Sequence, residues 1–319
     1  MKKVVDDIRL MIKVCDLYYN QNVGQQQIAT MLNISRPTVS RLLSSSREQG
    51  IVSIQVSNLD IIKHWELERQ LQELYHLKDV MIVDSKPTEE EMKTVLGDAA
   101  ARYLEASIKD DSIIGVSMGS TLYEVVSHIT KPDADNVTFV PLIGGVGQLR
   151  MELHSNSLAE SLSRKYESRF VPLQAPARVS SSVIRRELMK EESMAAALRL
   201  AEKIDMAIVG IGYPNEKSSI KATGYFKENE MESLIERQVA GEICMQFYDI
   251  DGDTSSYRND NNVIGMELRK LRKVPYSIGI AGGTEKLQAI QGAMKGKYIN
   301  VLITDFDCAK ALIENWRES

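Results

Sequence analysis

"SIIGVSMGSTLYEVVSHI", residues 112–129, reads as a strand, a glycine turn and a helix. The turn would set Ser117, Gly119, Ser120 and Thr121 at the helix N-terminus, with N–H groups and hydroxyls pointing outward. That arrangement is a phosphate site by physical construction. The same pattern recurs on both sides. "DVMIV" (79–83), "VTFVPLIGG" (137–145), "FVPLQAP" (170–176), "MAIVGIG" (206–212), "EICMQFYD" (242–249), "PYSIGIAGG" (275–283) and "YINVLITD" (298–305) are apolar runs with helical stretches between them. Mostly continuous Val/Ile/Leu runs separated by helices predict a parallel sheet covered on both faces, a Rossmann-like α/β body over residues 80–319. Four runs end in paired glycines: Gly115 with Gly119, Gly144 with Gly145, Gly210 with Gly212, and Gly282 with Gly283. Ligands of open α/β sheets bind outside the carboxyl ends of the strands, where glycines let backbone approach them. A small-molecule crevice is expected at that edge.

Three other signals bear on the crevice. Gly115-Val116-Ser117-Met118-Gly119 matches G-x-S-x-G, the nucleophile elbow of serine hydrolases. The elbow needs a late histidine, and the later histidines, His128 and His154, follow it too soon. Lys286 comes after Gly282-Gly283-Thr284-Glu285 and opens another helix, from which it can reach a phosphate. "QFYDIDGD" carries carboxylates that suit sugar hydroxyls or a cation, but "DIDGD" is too short for an EF-hand loop, and Asp251 and Asp253 read as a plain acidic turn. Neither a Walker pattern nor a dinucleotide fingerprint is present.

The N-terminal segment has a different grammar. Ile8, Met11, Ile12, Cys15, Leu17 and Tyr18 keep helical spacing, "GQQQIATML" (24–32) is a short second helix, and "NISRPTVSRLLSSSREQG" (33–50) holds a third. Ser35 can cap that third helix, and Pro37 lies in its first turn, where a missing N–H costs nothing. Ala29, Asn33 and Val39 stand four and six apart, the spacing of a helix-turn-helix. The third helix then presents Ser35, Arg36, Thr38, Ser40 and Arg41 at its outward face or N-terminal end, where such a helix meets base edges in the major groove. Gln25 and Gln26 start the preceding helix, whose N–H groups can hold a backbone phosphate. Ser44, Ser45 and Ser46 read as surface filler. "IVSIQVS" (51–57) alternates like one strand of a wing, which makes residues 1–57 a winged-helix DNA-binding unit. "DIIKHWELERQLQELYHL" (60–77) is an amphipathic helix in a linking segment, 58–79. It is either a self-association surface or a helix packed on its own body.

Charge and composition agree with this division. Residues 1–57 hold seven Lys or Arg and four Asp or Glu, while the remainder holds 32 and 40. A basic head on an acidic body, in a chain of net charge −5, points to a polyanion partner for the head alone. No apolar run approaches bilayer length, and "MKKVVDDIRL" places charges where a signal peptide needs an apolar core, so a cytoplasmic protein is expected. Cys15, Cys244 and Cys308 stand far apart without metal-ligand spacing and read as buried reduced thiols.

Taken together, the residues resemble the SorC-type bacterial transcription regulators. "LYYNQNVGQQQIATMLNISRPTVSRLLSSSREQGIVSIQV" is similar to that family's head. "IIGVSMGSTL", "VPLIGGVG", "HSNSLAESLSRKY", "LQAPARV", "IVGIG", "GEICMQFYDIDG" and "EKLQAIQGAMKGKYINVLITD" fall in the family's order through the body. The resemblance implies a body shaped like the sugar-phosphate isomerase and deaminase fold, used as a sensor without turnover. It implies operator DNA, a phosphorylated sugar and a homo-oligomer, often a tetramer, as partners, with no cofactor. Carried over, Gly119, Ser120, Thr121 and Lys286 would hold the phosphate. Gly144 and Gly145 would line the crevice, and Glu242 or Asp249 would take hydroxyls. Some members place an imine-forming lysine just before the glycine pair, where this chain has Ile143, so covalent capture is not expected. Asn33 stands where many members have glycine, and asparagine tolerates left-handed geometry. The alternative is a sugar-phosphate isomerase or deaminase that carries a DNA-binding head. It needs a positioned base, for which the sequence offers no convincing histidine or carboxylate dyad.

Overall fold

A computed structural model of the chain describes residues 8–54, 63–130, 132–145, 147–148, 150–214 and 219–318. It forms two compact units that divide between Lys63 and His64.

The first unit is built on three helices: α1 (Ile8–Cys15), which runs on through a π-helical turn at Asp16–Asn20, α2 (Gln25–Met31) and α3 (Arg36–Glu48). Met11, Val14, Ile28, Ala29, Val39, Leu42 and Leu43 close a small core between them. Asn33 adopts φ 51° in the turn from α2 to α3, the left-handed geometry the turn requires. Residues 51–54 are not a strand, and residues 55–57 of the expected wing lie outside the described residues.

The second unit opens with α4 (Trp65–Tyr75), β1 (Asp79–Val83), α5 (Glu89–Ser107), β2 (Ile113–Val116), α6 (Ser120–His128) and β3 (Thr138–Pro141). Then come α7 (Ser155–Lys165), β4 (Arg169–Phe170), α8 (Ser182–Leu188), α9 (Glu192–Ala201), β5 (Met206–Gly210), α10 (Ser219–Ala222) and α11 (Glu228–Glu236). It ends with β6 (Gly241–Ile243), β7 (Gln246–Tyr248), β8 (Tyr276–Ile280), α12 (Leu287–Lys295), β9 (Val301–Asp305) and α13 (Phe306–Glu318). Seven strands form one parallel sheet in the order β1-β9-β8-β5-β2-β3-β4. Each strand alternates its side chains between two covered faces. Ile114, Val116, Ile208, Ile278 and Ile303 meet the apolar sides of α5, α6 and α7, with Leu96, Leu104, Leu122, Val125 and Leu158. Val80, Val140, Val209 and Leu302 face the opposite layer with Leu71, Ile290 and Leu312. This explains why the strands read as unbroken apolar runs.

The element read as a linking helix is α4, and it packs on this unit. Leu71 is fully buried, the Tyr75 hydroxyl donates to the Leu312 carbonyl at 3.3 Å, and the Glu68 carboxylate accepts the Ile82 N–H at 2.9 Å.

Two runs depart from the sheet expectation. "EICMQFYD" splits into the antiparallel hairpin β6–β7, set apart from the sheet, with Cys244 (φ 53°) and Met245 (φ 57°) both left-handed in its two-residue turn. Such turns favour Asn-Gly, so no turn signal is visible in the sequence. Burial of both side chains imposes the conformation instead. "FVPLQAP" contributes only Phe170 to the edge strand β4, because Pro172 cannot donate to a ladder.

Candidate functional site

The sheet order reverses between β2 and β5: the chain steps from β2 to β3 and β4 on one side, and from β5 to β8 and β9 on the other. A cavity of about 300 Å³ opens at the carboxyl ends of these two strands. This is where open α/β sheets take their ligands. From β2 and α6 come Ser117, Met118, Gly119, Ser120 and Thr121. From β5 come Gly210, Ile211, Gly212 and Tyr213. Glu242 and Cys244 come from the hairpin, Glu285 and Lys286 from the turn before α12, and Glu89 and Lys93 from α5.

α6 begins at the cavity wall. Its N-cap is Gly119 at φ 122°, a backbone angle that only glycine adopts without strain, and no side chain caps the helix. The Gly119 N–H is already donated to the Leu153 carbonyl at 3.0 Å. The next amides of the first turn and the hydroxyls of Ser120 and Thr121 are the donors at this end. Lys286 is half-buried opposite, in the turn Thr284–Lys286. Burial and the neighbouring Lys93 ammonium hold its pKa below the ordinary lysine range. The turn is anchored by buried Asp305, which accepts the Gly283 N–H at 2.6 Å and the Ser85 hydroxyl at 2.8 Å.

Glu242 is buried, and one carboxylate oxygen accepts the Met245 N–H at 2.8 Å. Burial raises its pKa from about 4.5 to about 7, against the lowering effects of that hydrogen bond and of Lys286. Its strand pairs with residue 212 through two backbone hydrogen bonds, at 3.0 and 2.9 Å. A Cβ on Gly212 would collide with the carboxyl group, so the glycine makes room for the acid.

Ser117 is buried, and its oxygen accepts from the Cys244 thiol at 3.1 Å. Burial pushes that thiol up to about 12, so it stays protonated at neutral pH. The neighbour of the elbow-like serine is therefore a thiol. His128 instead sits at the far end of α6, with Nδ1 2.8 Å from the Glu124 carbonyl. Among the described residues no group of His, Cys, Asp and Glu could hold a metal ion.

Three crevice residues expected from the sequence stand elsewhere. Gly144 donates its N–H to the Ile264 carbonyl and Gly145 to Ala175, and neither lines the cavity. A Cβ on Gly144 would lie 2.5 Å from the Ala175 carbonyl oxygen, so this glycine serves a backbone-to-backbone approach. Asp249 accepts the N–H groups of Asp251 and Asp253 at 3.0 and 2.8 Å and shapes the acidic turn. Conversely, Glu89 and Lys93, an ion pair at 2.5 Å one turn apart on α5, reach the cavity from a helix that carries no motif.

In the first unit, Ser35 caps α3 by accepting the Thr38 N–H at 3.3 Å, and its hydroxyl lies 2.8 Å from that of Thr38. Arg36, Ser40, Arg41 and Ser44 are exposed on one face of α3, and Val39, Leu42, Leu43 and Ser46 are buried on the other. Gln26 is exposed and Gln25 half-buried in the first turn of α2. Ser46 corrects the reading of the serine run: it is fully buried and donates to the Leu43 carbonyl at 2.8 Å.

Comparison with known proteins agrees with both halves. The family model of a Crp-like helix-turn-helix domain matches residues 13–70, and that of a sugar-binding domain matches residues 60–314. The chain is 35% identical to the sorbitol operon regulator of Klebsiella pneumoniae over 97% of its own length and 99% of that protein's. It is 33% identical to the deoxyribonucleoside regulator of Bacillus subtilis over 96% and 98%. The crystal structure of full-length SorC from Klebsiella pneumoniae superposes with a TM-score of 0.74, covering 97% of this chain and 99% of that one. A DeoR family transcriptional regulator from Listeria monocytogenes, 27% identical, superposes with a TM-score of 0.69 over 78% of this chain and 99% of that one. The chain belongs to the SorC family of transcriptional regulators, with a helix-turn-helix head and a sugar-binding α/β body.

Proposed function

We propose that this chain is a cytoplasmic, homotetrameric regulator of a carbohydrate operon that binds operator DNA through α3 and responds to a phosphorylated sugar held non-covalently in the switch-point cavity. The observation that carries the reading is the convergence of the uncapped first turn of α6, the Ser120 and Thr121 hydroxyls and Lys286 on one concave site. Amides, hydroxyls and an ammonium aimed at one place match a phosphate. Ser117 and Glu242 then take sugar hydroxyls, and Gly119 lets the ligand approach the backbone. The relatives are named as a sorbitol operon regulator and a deoxyribonucleoside regulator, which supports a regulatory role for this chain. Ile143 speaks against imine capture, and so against a deoxyribose phosphate held that way.

On the head, Arg36 and Arg41 read base edges, Ser35, Thr38 and Ser40 contact bases or phosphates, and Gln25 and Gln26 flank a backbone phosphate. The ligand acts by binding unequally to arrangements of the oligomer that space the heads differently.

A variant set tests the division of labour. Arg36→Ala or Arg41→Ala is expected to weaken specific DNA binding by about tenfold to a hundredfold and to relax base preference, with sugar-phosphate binding unchanged. Thr121→Ala or Lys286→Ala is expected to abolish the ligand response and leave DNA affinity intact. Calorimetry and DNA-binding titration separate the two. If both sets lose the same property, the assignment is wrong.

A further inference from the structure

The point where the chain enters the body is tied to the wall of the cavity. The two units divide between Lys63 and His64, so the covalent route from the head into the body passes through His64. That residue starts α4, and its carbonyl accepts the Glu68 N–H at 3.0 Å. Its ring lies against Phe306, with centroids 5.1 Å apart, and its Nε2 is 2.9 Å from Asp84 Oδ1. Glu68, one turn later, takes the Ile82 N–H at 2.9 Å. The start of α4 therefore grips the carboxyl end of β1 at two points.

That end of β1 is also held from the cavity side. The Ser85 hydroxyl donates to Oδ1 of buried Asp305 at 2.8 Å, and Oδ2 of the same carboxylate accepts the Gly283 N–H at 2.6 Å. Gly283 opens the turn that carries Lys286 into the cavity. The Ser85 oxygen further accepts the Asp307 N–H at 2.9 Å, beside the Phe306 that meets the His64 ring. Asp305 sits in a tight place, since a Cβ on Gly282 would lie 2.7 Å from its Oδ2. A packed interior transmits a displacement at such a point instead of absorbing it. His64, Asp84 and Ser85 are not among the described residues that line the cavity, so binding a ligand there does not call for them.

We propose that Ser85, Asp84 and His64 form the joint through which occupancy of the cavity reaches the head. A ligand that draws on Lys286 shifts the Gly283 turn, Asp305 carries the shift to Ser85, and the end of β1 moves the start of α4. The inference rests on the ligand-controlled regulation proposed above and names the residues that carry it. They are positioning residues, acting through the turn. A ligand biases the joint only as far as its affinity differs between the two positions of the turn.

The test uses the full chain. Calorimetry with glucose 6-phosphate, fructose 6-phosphate, ribose 5-phosphate and glucose 1,6-bisphosphate selects the tightest binder. Affinity for a duplex from upstream of the chain's own gene is then measured with and without that probe at saturation. The wild type is expected to show a ratio of at least about fivefold. Ser85→Ala, which cuts the link to Asp305, and His64→Phe, which keeps the ring contact and removes the bond to Asp84, should each bring the ratio below about twofold while probe affinity stays within about threefold. A merely structural role would lower the melting temperature and leave the ratio intact. His64→Phe decides the matter if Ser85→Ala does not fold. A wild-type ratio in the variants overturns the inference and leaves the regulatory reading standing. So does loss of probe binding in step with the ratio, which would make these residues part of the binding site. If the wild type binds a probe and shows no ratio, or binds none, the regulatory reading itself fails and the inference falls with it.

Discussion

Gly212 and Glu242 show how one absent side chain makes room for another in the cavity wall. The carboxyl group occupies the space a Cβ at 212 would need. Gly212→Ala is therefore expected to displace Glu242 and lower sugar-phosphate affinity at least tenfold, with DNA binding by the head unchanged; calorimetry and DNA titration on the same variant check this. Burial of Glu242 also predicts a pH effect. Unfolded, the group titrates near 4.5; folded, it keeps its proton up to about 7. Between these values the folded chain binds the extra proton, so stability falls as pH rises through the window, by an amount of order 3 kcal/mol. Glu242→Gln should flatten that part of the stability profile, measured by denaturant unfolding at pH 4.5 and 7.5. An unchanged slope would contradict the burial assigned to Glu242. At this scale the sequence was a partial guide. Ser120, Thr121 and Lys286 were legible because each follows a strand and a glycine turn, a local pattern. Lys93 was not, because it reaches the cavity from mid-helix α5 without any motif. Gly144 and Gly145 misled, because a glycine needed for contact with neighbouring backbone looks, in a sequence, like one needed for a ligand.

Elements that depend on local chemistry were readable, and those that depend on tertiary burial were not. α3 was legible from its cap, its proline in the first turn and its apolar period. Ser35→Ala should cost the head about 1 kcal/mol by freeing the Thr38 N–H, visible as earlier melting of the head and weaker DNA binding, with the sugar-binding body unaffected. The hairpin β6–β7 was hidden, because Cys244 and Met245 carry no turn signature and hold left-handed angles through burial alone. α4 left two readings open in sequence, because an amphipathic stripe says that a helix is covered and not by what. Leu71 and Tyr75 supply the answer in the structure by packing on the body.

The whole molecule divides its chemistry between two units with separate cores. The basic head and the strand-rich body differ in both charge and period, which is why the sequence suggests two units. A fragment of residues 64–319 should fold alone and bind sugar phosphates with the affinity of the full chain, because the described residues that line the cavity belong to the body and the body has its own core. Calorimetry on the fragment checks it. In the function proposed above the two units are coupled, so that occupancy of the cavity changes what the head does. The most direct test is affinity of the full chain for a labelled duplex from upstream of its own gene, at fixed salt, titrated with phosphorylated sugars and their free counterparts. A phosphorylated sugar is expected to shift DNA affinity at least fivefold, and its free sugar is expected to leave it unchanged. Specific DNA binding that no phosphorylated sugar alters, from a protein that calorimetry shows to bind one, would contradict it.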